Sequence, residues 1–173
     1  ENLGYGAAFR CGYELARDMG YEYRITIEAG NYDFHEDIKE MLKNIAYGYD
    51  IVTCSRILEN YDYTDIPEEY TNITATLAGA INEITQLDIT DPFSGTKTFK
   101  VESLENMELS EHNHAMLLQI FIQGAYYGLS VMEIPAYKGT GFGNELLHYE
   151  DTMGLFLSLI ETEKHLYNKG NIN

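Results

Sequence analysis

25-ITIEAGNYDFHEDI-38 is a strand, a turn and a helix start in fourteen residues. The apolar run that begins at Tyr23 stops at Glu28, the chain turns through Gly30-Asn31, and His35-Glu36-Asp37 sets acidic groups at a helix start, where the helix dipole favours them. Ile38, Met41, Leu42 and Ile45 then recur at helical spacing. In α/β proteins ligands bind outside the carboxyl ends of strands, so Glu28 stands where a metal or a sugar hydroxyl would be met. A solvated strand-end carboxylate is the plainer alternative, since acids are mostly exposed.

Working outward, 6-GAAFRCGYELARDMG-20 reads as a helix with Gly20 as its stop, and 50-DIVTCS-55 as a short apolar run suited to a central strand. Helix, strand, helix, strand argues for a parallel sheet covered by helices. Residues 57–70 form a polar, tyrosine-rich surface connection, and Pro67 fits the first turn of a helix whose core stripe is Ile73, Leu77, Ile81 and Ile84. The stretch 88-DITDPFSGTKTFK-100 mixes turn residues with a β-like end, as an active-site loop entering an edge strand would. A helix over 114–128, a strand over 129–135, a glycine-rich loop over 137–145 and an amphipathic helix over about 150–167 complete a single domain spanning 1–173. Strands near 23–28, 50–54, 96–101 and 130–134 are expected to share one mixed, mainly parallel sheet with helices on both faces.

The composition narrows the function. The chain has 173 residues, 45% of them hydrophobic, which suits one domain with a real core. Its 28 acidic side chains against 11 basic ones give a net charge of −17, which repels nucleic acid and anionic lipid unless the few cations cluster, and argues against a nucleic-acid role. Cys11 and Cys54 show no metal-ligand spacing, so a reducing, cytoplasmic compartment is the simpler reading. The apolar run 153-MGLFLSLI-160 is far short of the roughly 20 residues a membrane span needs.

Five stretches, in order, together resemble one family. Asn2-x-Gly4-x-Gly6-Ala7 resembles its Asn-x-Gly-x-Gly-x-Ala helix start, and 25–38 its Asp-x-Asp turn followed by Pro-Glu-Asp-Ile. Next, 48-GYDIVTCSR-56 resembles Gly-Tyr-Asp-Ile-Val-x-Gly-Ser-Arg, and 91-DPFSGTKTFK-100 resembles Asp-x-x-Ser-Gly-Phe-Arg. Last, 128-GLSVMEIPAYKGTGFGN-144 resembles Gly-x-x-Val-x-Glu-Ile-Pro and the loop after it. The family is glycosyltransferase family 2, with the GT-A fold, in its dolichyl-phosphate mannose synthase-like branch.

The resemblance implies an α/β, Rossmann-like domain that transfers a sugar from a nucleoside-diphosphate sugar to a lipid phosphate, such as a polyprenyl phosphate, or to a glycan, at a membrane surface. It assigns Asp91 as the catalytic base, or as the group that orients a phosphate acceptor, with Asp91→Asn expected to abolish transfer and leave folding intact. Glu28, Arg56, Ser94 and Gly95 fall on the donor side, and Gln119 and Lys138 on the acceptor side. Read on its own, Arg56 either grips a phosphate or holds Asp50 or Asp91 in an ion pair. A divalent metal, Mg²⁺ or Mn²⁺, is implied between the donor phosphates and Glu28, with Asp33 as a further ligand. Gly30 replaces the second acid of the turn, which weakens that site. Gln119 replaces the branch's Glu, and Asn144-Glu145 its Ser-Lys. The strands that hold the nucleotide base would precede Asn2, so an incomplete sheet is expected, its edge exposed or covered by an upstream segment or a partner chain. These departures keep a second reading open: a non-catalytic binding or assembly module on the same scaffold.

Overall fold

The computed structural model describes residues 4–27, 34–58, 68–136 and 149–170. In chain order the elements are α1 (Tyr5–Asp18), β1 (Tyr23–Thr26), α2 (His35–Ala46), β2 (Ile51–Ser55), α3 (Glu68–Thr85), β3 (Lys97–Lys100), a 3₁₀ turn (Glu102–Leu104), α4 (Ala115–Tyr126), β4 (Val131–Pro135) and α5 (Tyr149–Gly170). Each expected strand and helix that falls on described residues is present, with bounds that move by a few residues.

The four strands form one mixed sheet in the order β1-β3-β2-β4. β3 runs antiparallel to both β1 and β2, while β2 and β4 pair in parallel. Thus β1, β2 and β4 point the same way, but only one of the three pairings is parallel. The edge position expected for β3 is corrected: β3 lies inside the sheet, and β1 and β4 are its outer strands among the described residues. The misreading has a physical cause. Thr96, Lys97 and Thr98 look like a solvated edge, yet all three are buried. The Lys97 ammonium is absorbed internally, donating to the Thr53 hydroxyl at 2.9 Å and to the Ser94 carbonyl, 5.0 Å from the centre of the Phe121 ring.

Helices cover both faces, because side chains alternate along a strand. Val52 and Cys54 of β2 and Ile134 of β4 pack with Met41 and Ile45 of α2. Ile51 of β2 and Phe99 of β3 face the other way, against Phe9 of α1 and Met116, Leu117 and Ile120 of α4. A third apolar cluster joins α3, α4 and α5 through Leu77, Ile81, Phe121, Ile122, Phe156 and Ile160. Helix α4 is buried from Ala115 through Gly124, which explains a sequence apolar on all sides. The Gly4-x-Gly6 pattern has a steric origin: the Gly6 N–H donates to the His112 carbonyl at 2.9 Å, and a Cβ on Gly6 would stand 2.0 Å from the Glu111 carbonyl oxygen. No helix among the described residues is long and apolar enough to cross a membrane.

Candidate functional site

Because β1, β2 and β4 are co-directional, their carboxyl ends lie at one end of the sheet, and β3 begins there. The segments at that end are Ser55, which ends β2, and Arg56 after it, Ala136 after β4, and the connection from Leu87 to Thr96 that feeds β3.

Arg56 and Asp91 meet there as a buried pair. The Arg56 Nε–H donates to Asp91 Oδ2 at 2.7 Å and its Nη2 to Oδ1 at 3.0 Å, a two-pronged contact, while the Arg56 backbone N–H adds a third bond to Oδ2 at 3.1 Å. Side-chain exposure is 3% for Arg56 and 0% for Asp91. Tyr70, on the first turn of α3, closes the group: its hydroxyl donates to Asp91 Oδ1 at 3.1 Å and accepts from Arg56 Nη2. Burial alone would raise the Asp91 pKa, but the adjacent Arg56 guanidinium and its hydrogen bonds outweigh burial and hold the carboxyl below the usual range. Of the two roles left open for Arg56, the structure shows the ion pair with Asp91.

This placement bears on Asp91 as a proton acceptor. A general base must reach the proton it takes. Here both carboxylate oxygens are engaged, no part of the side chain meets solvent, and the depressed pKa weakens it as a base.

The connection before β3 is held from several sides. Glu133 of β4 accepts from the Thr90 N–H and the Thr90 hydroxyl through Oε2, both at 2.8 Å, and from the Asp91 N–H through Oε1 at 3.0 Å. Burial raises the Glu133 pKa despite these three donors. The Ser55 and Thr90 hydroxyls lie 2.6 Å apart, and Ser55 Oγ also accepts from the N–H groups of Ile57 and Leu58. Thr26 of β1 donates to the Gly95 carbonyl at 2.7 Å. Ser94 and Gly95 are themselves buried.

Gln119 lies elsewhere in the hydrogen-bond network. Its carbonyl oxygen accepts from the Ser110 and Glu111 N–H groups, and its amide donates to Glu163 of α5 at 2.7 Å. Gln123, one turn on, donates to the other oxygen of Glu163 and to the Glu108 carbonyl. These bonds tie α4 to α5 and to the 108–111 connection, and none runs to Asp91 or Arg56. Glu28, Asp33 and Lys138 lie outside the described residues, as do Gly30 and Asn144-Glu145.

For the divalent metal, the described residues give no support. No three His, Cys, Asp or Glu side chains among them converge on one point, and the buried acid at the strand ends is committed to Arg56 and Tyr70.

Reading the sequence overlooked Tyr70, Thr90, Glu133 and Lys97. For two of them a signal existed: a lone acid inside 131-VMEIP-135 and a lone cation entering a buried strand both need internal partners.

No protein-family model matches the chain, and no curated protein matches it either.

Proposed function

We propose that this chain is a glycosyltransferase-type domain that carries a sugar from a nucleoside-diphosphate sugar to an acceptor above the carboxyl ends of β1, β2 and β4. One observation carries the reading. Three of the stretches that resemble family 2 glycosyltransferases, 48–56, 91–100 and 128–144, are far apart in sequence, and direct side-chain bonds join them at one place. Arg56 grips Asp91, Ser55 meets Thr90 beside Asp91, and Glu133 receives Thr90 and Asp91.

Within this reading Asp91 is an anchor that orients Arg56 and the connection before β3. A site whose buried acid is committed in this way suits a phosphate acceptor better than a sugar hydroxyl. A phosphate oxygen is already anionic and needs positioning, whereas a hydroxyl must lose a proton to a free base. A lipid phosphate is therefore the favoured acceptor class, and a glycan the less favoured one.

A second reading has its own support. Asp91, Ser94 and Gly95 are all buried, which suits a non-catalytic binding or assembly module built on the same scaffold. Calorimetry with a panel of nucleoside-diphosphate sugars in the presence of Mn²⁺, followed by transfer assays with a short polyprenyl phosphate, separates the two. Metal-dependent binding and sugar transfer support the enzyme. Binding without transfer supports the module, and no binding to any donor removes the transferase reading.

A further inference from the structure

The proposed strand-end site contains a charged residue with no role so far beyond holding the chain. Glu133 sits on β4, in register with Thr53 of β2, and does not itself touch Arg56 through any bond described above. Its two oxygens receive the N–H groups of two successive residues, Thr90 and Asp91, together with the Thr90 hydroxyl. Two consecutive N–H groups aimed at one carboxylate fix the direction of the peptide between them. That peptide carries the Asp91 side chain toward Arg56. The Thr90 hydroxyl lies against Ser55, the residue before Arg56, so the same carboxylate is linked through Thr90 to both halves of the ion pair.

We infer that Glu133 is the positioning residue of this site: through the Thr90–Asp91 peptide it sets where the Arg56–Asp91 pair stands relative to the strand ends. The inference rests on the proposed function only for the site's purpose, because the mechanical linkage is independent of any ligand. Acting from a neighbouring strand gives Glu133 leverage that a residue of the connection lacks, since β4 is held to β2 along five paired residues. A carboxylate is the side chain this geometry requires. It offers two acceptors and no donor to a group of three donors, whereas a glutamine in its place would turn an NH₂ toward an N–H or O–H.

The test uses ¹H–¹⁵N spectra of the full chain, reading the Arg56 Nε–H resonance and the exchange rates of the Thr90 and Asp91 amides. In Glu133→Gln the Arg56 Nε–H signal should shift or broaden, and the two amides should exchange about tenfold faster, the scale of one lost hydrogen bond to a charged group. General loss of stability lowers the melting temperature without moving a native-state side-chain resonance, so the Arg56 signal separates positioning from plain support. A folded Glu133→Gln with an unmoved Arg56 signal overturns the inference. Should that variant not fold, Glu133→Asp, which keeps the charge, leaves Thr90 and its contact with Ser55 intact and draws both oxygens back by one methylene, takes its place. It should move the Arg56 signal by a smaller amount, and an unmoved signal there overturns the inference as well. Donor titrations on the same samples keep the two claims apart. A wild-type chain that binds no nucleoside-diphosphate sugar defeats the proposed function and leaves the Arg56 result standing. If donor binds but Arg56 stays still in the variant, the function survives and the positioning role of Glu133 does not.

Discussion

Strand β2 has an acid-centred brace at each end, and the two differ in burial. Before β2, Asp50 accepts from the Ser130 N–H at 2.9 Å, the Ser130 hydroxyl at 2.7 Å, Lys100 Nζ at 3.0 Å and the Ser103 hydroxyl at 3.2 Å. After β2, Arg56 and Asp91 are gathered with Tyr70, and Glu133 holds the adjoining peptide. Both braces join β2 to its neighbours with similar chemistry. Side-chain exposure at the Asp50–Lys100 pair is 22% and 21%, whereas the Asp91–Arg56 pair is sealed. Water can replace a lost partner at the first brace and cannot reach the second. The amino end of the strand carries a replaceable staple, and the carboxyl end carries a preorganised charge cluster. A buried ion pair is weak evidence of stability for its own sake, so the sealed end invites a test for a role beyond bracing.

The comparison breaks most readily at Asp91. Asp91→Asn leaves the Arg56 guanidinium buried without its counter-ion, which should cost about 3–5 kcal/mol in chemical denaturation. On this argument the variant folds less stably than the sequence reading expects, and the denaturation midpoint decides between the two. A double replacement, Arg56→Met with Asp91→Leu, removes both charges and should lie closer to wild type than Asp91→Asn does. If the double variant is the worse of the two, the burial argument fails.

At the other end, Asp50→Asn should cost only about 1 kcal/mol, because the amide keeps part of the hydrogen bonding and the Lys100 contact is partly solvated. Added salt should shrink that difference and leave the Asp91→Asn cost nearly unchanged.

The pH dependence has a definite sign. Burial pushes the Asp50 pKa up, but the Ser130 bonds and Lys100 outweigh it, and the folded value lies below the ordinary 3.8. The brace therefore gives its full stability above about pH 3.8 and loses it as pH falls through the lower folded value. The stability gap between wild type and Asp50→Asn should close over that interval. Glu133 has the opposite sign. Its folded pKa lies above the ordinary 4.5, so its contribution falls as pH rises from there through the raised value. Acid titrations of wild type and Glu133→Gln should show this as a slope difference above pH 4.5, opposite in sign to the Asp50 effect.

Much of the fold was legible because strand and helix periods are local. Ile51, Val52 and Cys54 announce a buried strand, and Leu77 and Ile81 mark the inner face of α3. The pairing order was not legible, since which strand joins which is decided by contacts far apart in sequence. Polar Thr96-Lys97-Thr98 concealed an interior strand because the partners that satisfy Lys97 come from β2 and from the preceding turn. The candidate site was partly legible. The ion pair of Arg56 with Asp91 was one of the roles read from the sequence, whereas the partners that complete it, Tyr70 and Glu133, arrive from α3 and β4. Tyr70 ends a tyrosine-rich stretch that looked like surface packing, and only the folded position of α3 carries its hydroxyl to Asp91.

The central claim, that the sealed end of β2 is the end that handles a ligand, can be read in one titration. ¹H–¹⁵N spectra of the wild-type chain, recorded with increasing nucleoside-diphosphate sugar and Mg²⁺, report every backbone amide at once. Progressive shifts are expected at Ser55, Arg56, Thr90, Asp91 and Gly95, with Asp50, Lys100 and Ser130 silent. Shifts confined to the Asp50 end, or none anywhere at millimolar donor, would contradict it.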